Sequence, residues 1–315
     1  MEKIKVLITS IGSNTSIGIA KCLKNHCYIV GTDINNYFEC NGYIFTDKFF
    51  KINPANSLKY EEELIEIIKK EKIDCVIPIN DIEIEVIASF KHKYNFVKWA
   101  LNELEIIKLC NNKYDINNFL SNICNVPKQY LNTSDIQLPI IIKPKNGVSS
   151  NGIKVIYEID DLQLKAIDKN TFMQNFIEGT EYTVDCYSSF INDDFFASVR
   201  IRKETKSGMS VKSEIIKDDY LAHICKNIHE KLKYKGASNI QFIKKDNTYF
   251  FIEINPRFAG AGILTYQSGY NYPLFTIEEL IYGQAVDCNE KKLSFGNKMV
   301  RYYCETIFDN ENNII

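Results

Sequence analysis

The sequence predicts an α/β domain built on a parallel sheet, followed by a mixed α+β region with antiparallel strands. Over the first hundred residues, short apolar strands alternate with helices whose apolar positions recur at helical spacing, a pattern typical of a doubly wound parallel sheet. Between residues 182 and 253, strand-like runs follow one another around a single helix, which indicates antiparallel pairing. The change of pattern predicts three parts, at 1–108, 109–177 and 178–315.

The composition is that of an ordinary globular protein. With 315 residues the chain is long enough for two or three packed subdomains. A net charge of −2 offers no basic field to nucleic acid or a membrane surface, and the apolar runs are too short to span a bilayer. The N-terminus enters a strand-like run without a cleavage site, and the ten cysteines include no CxxC pair. We therefore expect a cytoplasmic protein with reduced thiols and without nucleic-acid or membrane partners.

The first domain carries a glycine turn that imitates a dinucleotide site. Gly12 and Gly18 follow the first strand, and Asp33 ends the second. The spacing is not GxGxxG, so a structural turn fits better than NAD binding. In this domain we predict strands at 5–9, 28–33 and 75–78 and helices at 16–24, 57–71 and 82–90.

The rest of the chain is predicted to consist of strands and helices, and from residue 139 to 185 the expected order is strand, Gly/Ser-rich turn, strand, helix and strand. A hairpin turn is expected at Asp246 and Asn247. We predict helices at 113–122 and 220–232 and antiparallel strands at 182–189, 195–202, 238–244 and 249–254.

A metal site is predicted where one of these strands ends. Glu253 and Asn255 are two residues apart and therefore share a face of the strand. Their oxygens are hard ligands that suit Mg²⁺ bound together with phosphate, and Gln241 on the preceding strand can add a third. Arg257 follows with a guanidinium suited to a phosphoryl group. The alternative is a simple Asn-Pro turn beside a solvated acid.

Two further segments have the character of a nucleotide site. A buried strand at 140–142 delivers Lys143, and a loop of small residues at 147–152 follows, whose N–H groups can close on phosphate oxygens. The lysine precedes the glycines, so this is not the GxxxxGK[ST] loop. In the segment 172–185, an apolar strand edge can recognise adenine, and Glu181 can accept hydrogen bonds from ribose. Ordinary hairpins are the alternative for both segments.

The order of these motifs resembles the ATP-grasp superfamily, in particular the carbamoyl-phosphate-synthase large chain and related carboxylate–amine ligases. A lysine with a Gly/Ser loop, then EGTEYTVD, then Gln241 paired with EINPR occur in the family's sequence order, and the segment 110–114 matches its opening motif. The resemblance extends from about residue 5 to the C-terminus. It implies a Rossmann-like N-terminal domain, then a small lid subdomain and a larger subdomain with the nucleotide between them.

The resemblance also implies roles for individual residues. Catalysis would fall to Lys143 and Arg257, and Mg²⁺, or Mn²⁺ in its place, to Gln241, Glu253 and Asn255. Many ligases have an aspartate where Gln241 stands, and Asn112 replaces the usual aspartate before Lys113. The residues implied in ATP binding are Lys113, Lys143, Gly147, Ser149, Ser150 and Gly152 for the phosphates, Gln174, Asn175 and Ile177 for adenine, and Glu181 for ribose.

The substrate site is expected near the first domain, because open α/β sheets bind ligands at the C-terminal ends of their strands. The loops 13–15 and 80–83 lie there, and Asp81 or Glu83 could hold an amino group, although Asp81 could equally cap a helix. Arg200 and Arg202 precede a flexible-looking segment at 204–210 that either borders the substrate or forms a solvated hairpin tip. Gly262 could offer its N–H to a carboxylate or serve close helix packing.

The expected activity is ATP-dependent ligation. A small-molecule carboxylate would be activated as an acyl phosphate and attacked by an amine, or by a thiol, with ADP and phosphate as the other products. The alternatives are an ATP-binding regulatory protein without catalysis and a nucleotide-sugar or NAD-dependent oxidoreductase, for which the sequence lacks a Tyr-x-x-x-Lys pair after the first domain. The sequence leaves open whether the protein is a homodimer.

Overall fold

The computed structural model of the protein describes residues 3–147, 152–162, 168–206, 208–287 and 289–315. Its N-terminal sheet contains β1 (Ile4–Ile8), β2 (Cys27–Asp33), β3 (Lys48–Lys51), β4 (Cys75–Ile77) and β5 (Lys98–Trp99). All are parallel, in the order β3-β2-β1-β4-β5, with helices α1 (Asn14–Leu23), α2 (Tyr60–Glu71) and α3 (Asp81–Phe90) between them. The predicted parallel sheet is confirmed.

The two strands that the sequence pattern missed are the edges of this sheet. β3 begins and ends with the exposed lysines Lys48 and Lys51, so it lacks the apolar run of a central strand. Exposed charges are common on edge strands because they oppose pairing with another chain. In contrast, Val6, Leu7 and Ile8 of β1 are fully buried, as expected for a strand covered on both faces.

The glycine turn after β1 is structural. The N–H of Gly12 donates a hydrogen bond of 2.9 Å to the Asp33 carboxylate, which holds the turn against the end of β2. Ser13 then caps α1, since its side chain accepts from the N–H of Ser16. Gly12 and Asp33, which imitate a dinucleotide site in the sequence, are thus bonded to each other. Together with the Ser13 cap, this bond fixes the position of residues 13–15.

Two short helices lead to a small second sheet. They are α4 (Leu104–Asn111) and α5 (Lys113–Leu120), and Asn112 caps α5 by accepting from the N–H groups of Tyr114 and Asp115. An asparagine can therefore perform the capping that an aspartate would perform at this position. The small sheet is antiparallel in the order β6-β9-β7-β8, formed by β6 (Gln129–Tyr130), β7 (Ile140–Pro144), β8 (Lys154–Ile156) and β9 (Thr171–Asn175).

The third part is a six-stranded sheet. Its helices are α6 (Asp219–Leu232), α7 (Ile263–Gln267) and α8 (Tyr272–Tyr282), of which α7 and α8 were not predicted. Its strands are β10 (Thr180–Ser188), β11 (Phe195–Lys206), β12 (Met209–Ile216), β13 (Gly236–Lys245), β14 (Thr248–Asn255) and β15 (Lys298–Val300). They pair antiparallel in the order β14-β13-β10-β11-β12-β15, which confirms the predicted antiparallel region.

The segment at 204–210 is the end of a hairpin, which was one of its two alternatives, and less of it is loop than expected, because β11 continues to Lys206 and β12 returns from Met209. The far end of this hairpin is exposed, so its residues are charged rather than apolar. Lys203 pairs with Glu214 and Lys212 with Glu204 across the two strands. Cross-strand pairs of opposite charge favour the extended ladder.

The first and third parts share a core. One face of the parallel sheet packs against α8, and α1 contacts both α7 and α8. Because this apolar core is continuous, the loops at the C-terminal edge of the parallel sheet hold a fixed position relative to the six-stranded sheet. Buried members of the shared core are Ile8 and Ile77 from the parallel sheet, Tyr187 and Phe196 from β10 and β11, and Tyr272 and Phe275 from α8.

A buried histidine lies under the six-stranded sheet. His229 on α6 is 2% exposed, and its ring nitrogens contact the hydroxyls of Ser188 at 2.8 Å and Ser238 at 2.7 Å. Burial lowers the pKa of His229 to about 3, because the charged imidazolium would lose its hydration. The folded protein therefore keeps this histidine neutral at pH values where the unfolded chain protonates it.

We expect His229 to destabilise the fold in acid. The unfolded state takes up a proton as the pH falls below about 6.5 and the folded state does not, so the free energy of unfolding should drop by about 2 kcal/mol between pH 6.5 and 5. Urea denaturation of the wild type and of His229→Gln at both pH values measures this term. Equal pH slopes for the two proteins would contradict it.

Candidate functional site

A cleft of about 550 Å³ lies between the small sheet and the six-stranded sheet. Its size is within the range of small-molecule sites. The small sheet forms the roof, the six-stranded sheet the floor, and the N-terminal domain closes one end. The lining includes Lys143, Gln174, Asn175 and Ile177 from the roof, Glu181, Thr183, Arg200, Arg202, Gln241, Glu253 and Asn255 from the floor, and residues 13–15 and 259–261 at the end.

The roof contributes a buried lysine. Lys143, at the end of β7, is only 4% exposed. Burial lowers its pKa to about 8, with a further contribution from the charge of Lys113, while the charge of Glu253 acts in the opposite direction. An anion placed beside Lys143 would offset the cost of burying its ammonium charge and would favour the protonated lysine.

Beyond this lysine the roof presents amide groups. The side-chain oxygens of Gln174 and Asn175 are buried without a hydrogen-bond partner among the residues that the structure describes. Ile177 follows on the same edge of the cleft. This end of the cleft therefore offers unpaired acceptors next to apolar surface, which is suited to a flat heterocycle that carries N–H groups.

The register of the strands decides which side chains are neighbours on the floor of the cleft. Thr183 of β10 lies opposite Gln241 of β13, and Gln241 lies opposite Glu253 of β14, so side chains far apart in the sequence form one row. Glu253 accepts hydrogen bonds from Gln241 Nε2 at 2.8 Å and from Asn255 Nδ2 at 3.2 Å. The three predicted metal residues are thus adjacent.

The predicted metal residues differ in how far hydrogen bonds already occupy their side-chain oxygens. Gln241 Oε1 accepts a hydrogen bond of 2.8 Å from Arg202 Nη1, and its amide nitrogen donates to Glu253. Both ends of the Gln241 amide are therefore engaged within the floor. All three residues are partly exposed at the edge of the cleft, but the side-chain oxygen of Asn255 has only a long contact of 3.5 Å, with Arg257 Nη2. The oxygens of Glu253 and Asn255 therefore suit a hard cation better than that of Gln241.

Glu253 remains ionised because of the cations around it. Burial by itself would raise the pKa of Glu253, but the charge of Lys113, hydrogen bonds from Asn255 and Lys113, and the charge of Lys143 together hold it below its usual range. Lys113 Nζ lies 3.2 Å from the carboxylate and also donates to the carbonyl of Gly147 at 2.8 Å. Two lysines therefore face one carboxylate.

Arg257 connects the floor to the N-terminal domain. Its Nε donates to Asp81 Oδ1 at 2.8 Å, and Nη2 lies 3.5 Å from the side-chain oxygen of Asn255. Asp81 does not cap α3 as one reading of the sequence suggested, because the cap is Asn80, whose side chain accepts from the N–H of Ile82. Asp81 instead fixes the direction of the Arg257 guanidinium.

Two of the predicted substrate residues lie elsewhere. Glu83 is buried among hydroxyls, accepting from Ser10 at 2.6 Å and from Tyr60 at 2.9 Å, and burial raises its pKa. The N–H of Gly262 donates to the carbonyl of Ala259, and a side chain at this position would collide with the ring of Tyr266. Gly262 thus serves close packing, and neither residue lines the cleft.

The structure brings the other predicted residues together, and it adds some that the sequence analysis missed. Glu181 lies 3.2 Å from Arg202, and Arg200 lines the floor beside Thr183. Thr183 and Asn239 were missed, although each is two residues from a predicted one and therefore shares its face. The predicted phosphate loop begins at Gly147 and resumes at Gly152, and its Ser149 and Ser150 lie outside the described residues.

Comparisons with known proteins agree with this architecture. The model of the PylC-like N-terminal domain matches residues 6–101, and the model of the ATP-grasp domain matches residues 110–261. The carbamoyl phosphate synthase large chain of Clostridium acetobutylicum is 25% identical over 63% of this chain, which spans only 21% of that protein. An uncharacterized protein of Methanocaldococcus jannaschii is 25% identical over 82% of this chain and 69% of its own length.

Solved structures share the fold at low sequence identity. Biotin carboxylase from Campylobacter jejuni, solved as a β,γ-ATP complex, superposes with a TM-score of 0.74 at 16% identity over 93% of this chain and 74% of its own. L-amino acid ligase from Bacillus licheniformis gives 0.67 at 14% identity over 89% of this chain and 74% of its own.

The described part of the chain contains no helix long and apolar enough to cross a membrane.

The two family models match consecutive parts of the chain, and the matched parts supply the floor, the roof and the N-terminal end of the cleft. The chain therefore contains an ATP-grasp domain, preceded by a PylC-like N-terminal domain, and it is similar to the carbamoyl phosphate synthase large chain.

Proposed function

We propose that the protein is an ATP-dependent ligase that activates a carboxylate as an acyl phosphate and transfers the acyl group to an amine. One observation carries this proposal: Lys113 and Lys143 from the second part of the chain and Arg257 from the third converge on the carboxylate of Glu253 and the amide of Asn255. Cations beside hard oxygen ligands suit a phosphoryl group that is bound together with a metal ion.

ATP would lie along the cleft. The acceptors of Gln174 and Asn175, next to Ile177, suit the adenine, whose amino group is a donor. Glu181, which is half exposed at the floor, suits the ribose hydroxyls. The triphosphate would then extend toward Lys143 and Lys113, whose charges compensate it. The match to the ATP-grasp domain supports binding of a nucleotide, since the biotin carboxylase of this fold was solved as a β,γ-ATP complex.

Glu253 and Asn255 would hold Mg²⁺, or Mn²⁺ in its place. When bound, the cation would compensate charge on the phosphates and polarise the γ-phosphoryl group. The described residues fit this role, because an ionised carboxylate and an amide oxygen lie together at the cleft edge. Gln241 fits a supporting role better than a ligand role, because both ends of its amide are engaged and one of them orients Glu253.

The reaction requires two displacements. In the first, a carboxylate oxygen of the substrate attacks the γ-phosphorus, the bond to the β,γ-bridging oxygen breaks, and ADP leaves. In the second, the amine attacks the acyl carbon, phosphate leaves, and the amine loses a proton. Lys143 and Arg257 would stabilise the negative charge on the transferred phosphoryl group in both steps. The walls of the cleft would limit access of water to the acyl phosphate.

We expect Mg·ATP to stabilise the protein. A ligand that binds only the folded state, at a concentration well above its dissociation constant, should add about 3 kcal/mol to the free energy of unfolding. Thermal melting with Mg·ATP, and with NAD as the control, measures this effect. A shift with NAD and none with Mg·ATP would favour the oxidoreductase alternative.

The affinity for ATP should decrease in alkaline solution. Lys143 has a pKa of about 8 in the free protein, and the phosphates favour its charged form. Affinity should therefore be constant below pH 8 and fall up to about tenfold per pH unit above it. Calorimetric titration of Mg·ATP between pH 7 and 9.5 checks this behaviour, with Lys143→Arg, which stays charged, as the control. A flat wild-type profile would contradict the role of Lys143.

The two neighbours on the floor should differ in their effect on turnover. A screen of carboxylate–amine pairs for release of ADP and phosphate identifies the substrates, and hydroxylamine in place of the amine should trap the acyl phosphate as a hydroxamate. With such a pair, Glu253→Ala should abolish turnover, because it removes the charged ligand, whereas Gln241→Ala should be milder.

Both Glu253→Ala and Gln241→Ala should keep the wild-type melting temperature without ligand, since neither replaces a core side chain. Wild-type activity of Glu253→Ala would remove the metal assignment, and release of AMP with pyrophosphate would indicate adenylating chemistry. Nucleotide binding without ADP release for any pair would favour a regulatory ATP-binding protein.

A further inference from the structure

The end of the cleft opposite Gln174 contains an arginine that is buried in the floor. Arg200 is 1% exposed and lies on β11. Its Nε donates to Asp185 Oδ2 at 2.8 Å and its Nη2 to Asp185 Oδ1 at 2.6 Å, so the guanidinium and the carboxylate form a bidentate pair. Such a pair fixes both the position and the plane of the guanidinium.

Hydroxyl groups of α7 and α8 hold the Arg200–Asp185 pair in place. Thr265 of α7 donates its hydroxyl proton to Asp185 Oδ2 at 2.5 Å, and the hydroxyl of Tyr272 donates to the Asp185 carbonyl at 3.0 Å. Because the Asp185 carboxylate is anchored in this way, the Arg200 guanidinium that pairs with it cannot change direction without breaking several buried hydrogen bonds. A group that binds to it would meet a preorganised donor and lose little side-chain entropy.

One nitrogen of the guanidinium remains without a hydrogen-bond partner in the described structure. Nη1 of Arg200 is buried and has no hydrogen-bond partner among the residues that the structure describes. Burial of an unpaired charged donor is costly, and functional sites are where native proteins tolerate such groups. Because Nη1 carries two N–H groups, it calls for an acceptor rich in lone pairs.

The charges at this end of the cleft also call for an anion. Arg301 donates to the carbonyls of Ser210 and Gly260, both of which line the cleft, and forms no ion pair within the described part of the chain. Burial lowers the pKa of Arg301, and the positive charge of Arg200 lowers it further. Among the described residues, the carboxylate of Asp185 therefore balances two arginines, which leaves one positive charge uncompensated.

This end is separate from the proposed reacting centre. Arg200 lies opposite Thr183, Thr183 opposite Gln241, and Gln241 opposite Glu253, so three strand spacings, about 14 Å, separate Arg200 from Glu253 along one row. Its guanidinium is also directed toward Asp185, farther along β10 from the Glu181 end. Asp185 lies opposite Asn239, and Asn239 lies opposite Asn255, so the Arg200 partner is also two strand spacings, about 10 Å, from the nearer proposed metal ligand.

We propose that Arg200 binds a second carboxylate of the ligase substrates, one that is not activated, through its Nη1 donor. The inference rests on the proposed function and narrows the substrate class: either the amine is an amino acid with a free carboxylate, or the activated acid is a dicarboxylate. A carboxylate supplies the lone pairs that Nη1 lacks and the negative charge that Arg200 and Arg301 require.

Matched probes test the site without knowledge of the true substrate. Melting of the wild-type protein, saturated with Mg²⁺ and a non-hydrolysable ATP analogue, is followed in titrations with glycine against glycinamide and malonate against malonamide, at ionic strength held constant with sodium chloride. We expect glycine or malonate to raise the melting temperature and the amides to leave it unchanged. The compound that acts distinguishes an amino-acid acceptor from a dicarboxylate donor.

Variants locate the effect at Arg200. Arg200→Lys keeps a positive charge beside Asp185 but loses the planar fork, so the effective carboxylate should bind at least about tenfold more weakly. Lys203→Gln, on the same strand and half exposed in its pair with Glu214, should bind it like the wild type. Should Arg200→Lys not fold, a wild-type crystal structure with the effective carboxylate must place it within hydrogen-bond distance of Arg200 Nη1.

The outcomes separate this inference from the ligase proposal. Stabilisation by the ATP analogue with no response to either carboxylate, or equal binding to Arg200→Lys and the wild type, overturns the carboxylate site and leaves nucleotide binding intact. Loss of stabilisation by the ATP analogue itself contradicts the proposed function first.

Discussion

The antiparallel register of the six-stranded sheet is the constraint on which the site depends. Side chains alternate between the two faces of each strand, so the register decides which polar residues meet on the face of the cleft. Here it aligns Glu253, Gln241, Thr183 and Arg200 in one row across four strands. A shift of one residue between any two strands would turn one strand's polar set toward the opposite, buried face, and the row would be lost.

The two ends of this row differ in the charges that surround them. Near Glu253, the cations Lys113 and Lys143 face a single carboxylate, and the result is an ionised acid beside a lysine whose pKa is lowered. Near Arg200, the carboxylate of Asp185 is already engaged in a bidentate pair, and Arg301 adds a charge that pairs with no carboxylate among the described residues. Both ends thus favour anions, but they are built differently. The first is partly open to the cleft and suits phosphates, whereas the second is fixed within the floor and suits a small carboxylate.

The shared apolar core makes these two ends parts of one site. Packing of α8 and α1 between the parallel sheet and the six-stranded sheet holds the N-terminal domain against the end of the floor. The ion pair of Asp81 with Arg257 then crosses between the two parts at 2.8 Å, and residues 13–15 close the cleft near Gly260. The N-terminal domain therefore contributes to the site by position and by one carboxylate, while its own glycine turn is held by Asp33 and serves the fold.

The sequence by itself determined the parallel sheet, the antiparallel region and most residues of the cleft, because periodicity and short motifs are local properties of the chain. It could place Glu253 and Asn255 on one face, since they lie two residues apart on one strand. It missed the edge strand β3, whose lysines hide its apolar residues, and it took Glu204 to Lys206 for a loop because that strand end is charged. Only the tertiary structure decided that Glu83 and Gly262 lie away from the cleft, that Asp81 pairs with Arg257, and that Gln241 is engaged at both ends of its amide. It alone joined Arg200 to Asp185 and left one guanidinium nitrogen without a partner in the described part of the chain. These facts depend on contacts between residues far apart in the chain, and the packing that creates such contacts cannot be inferred from local patterns.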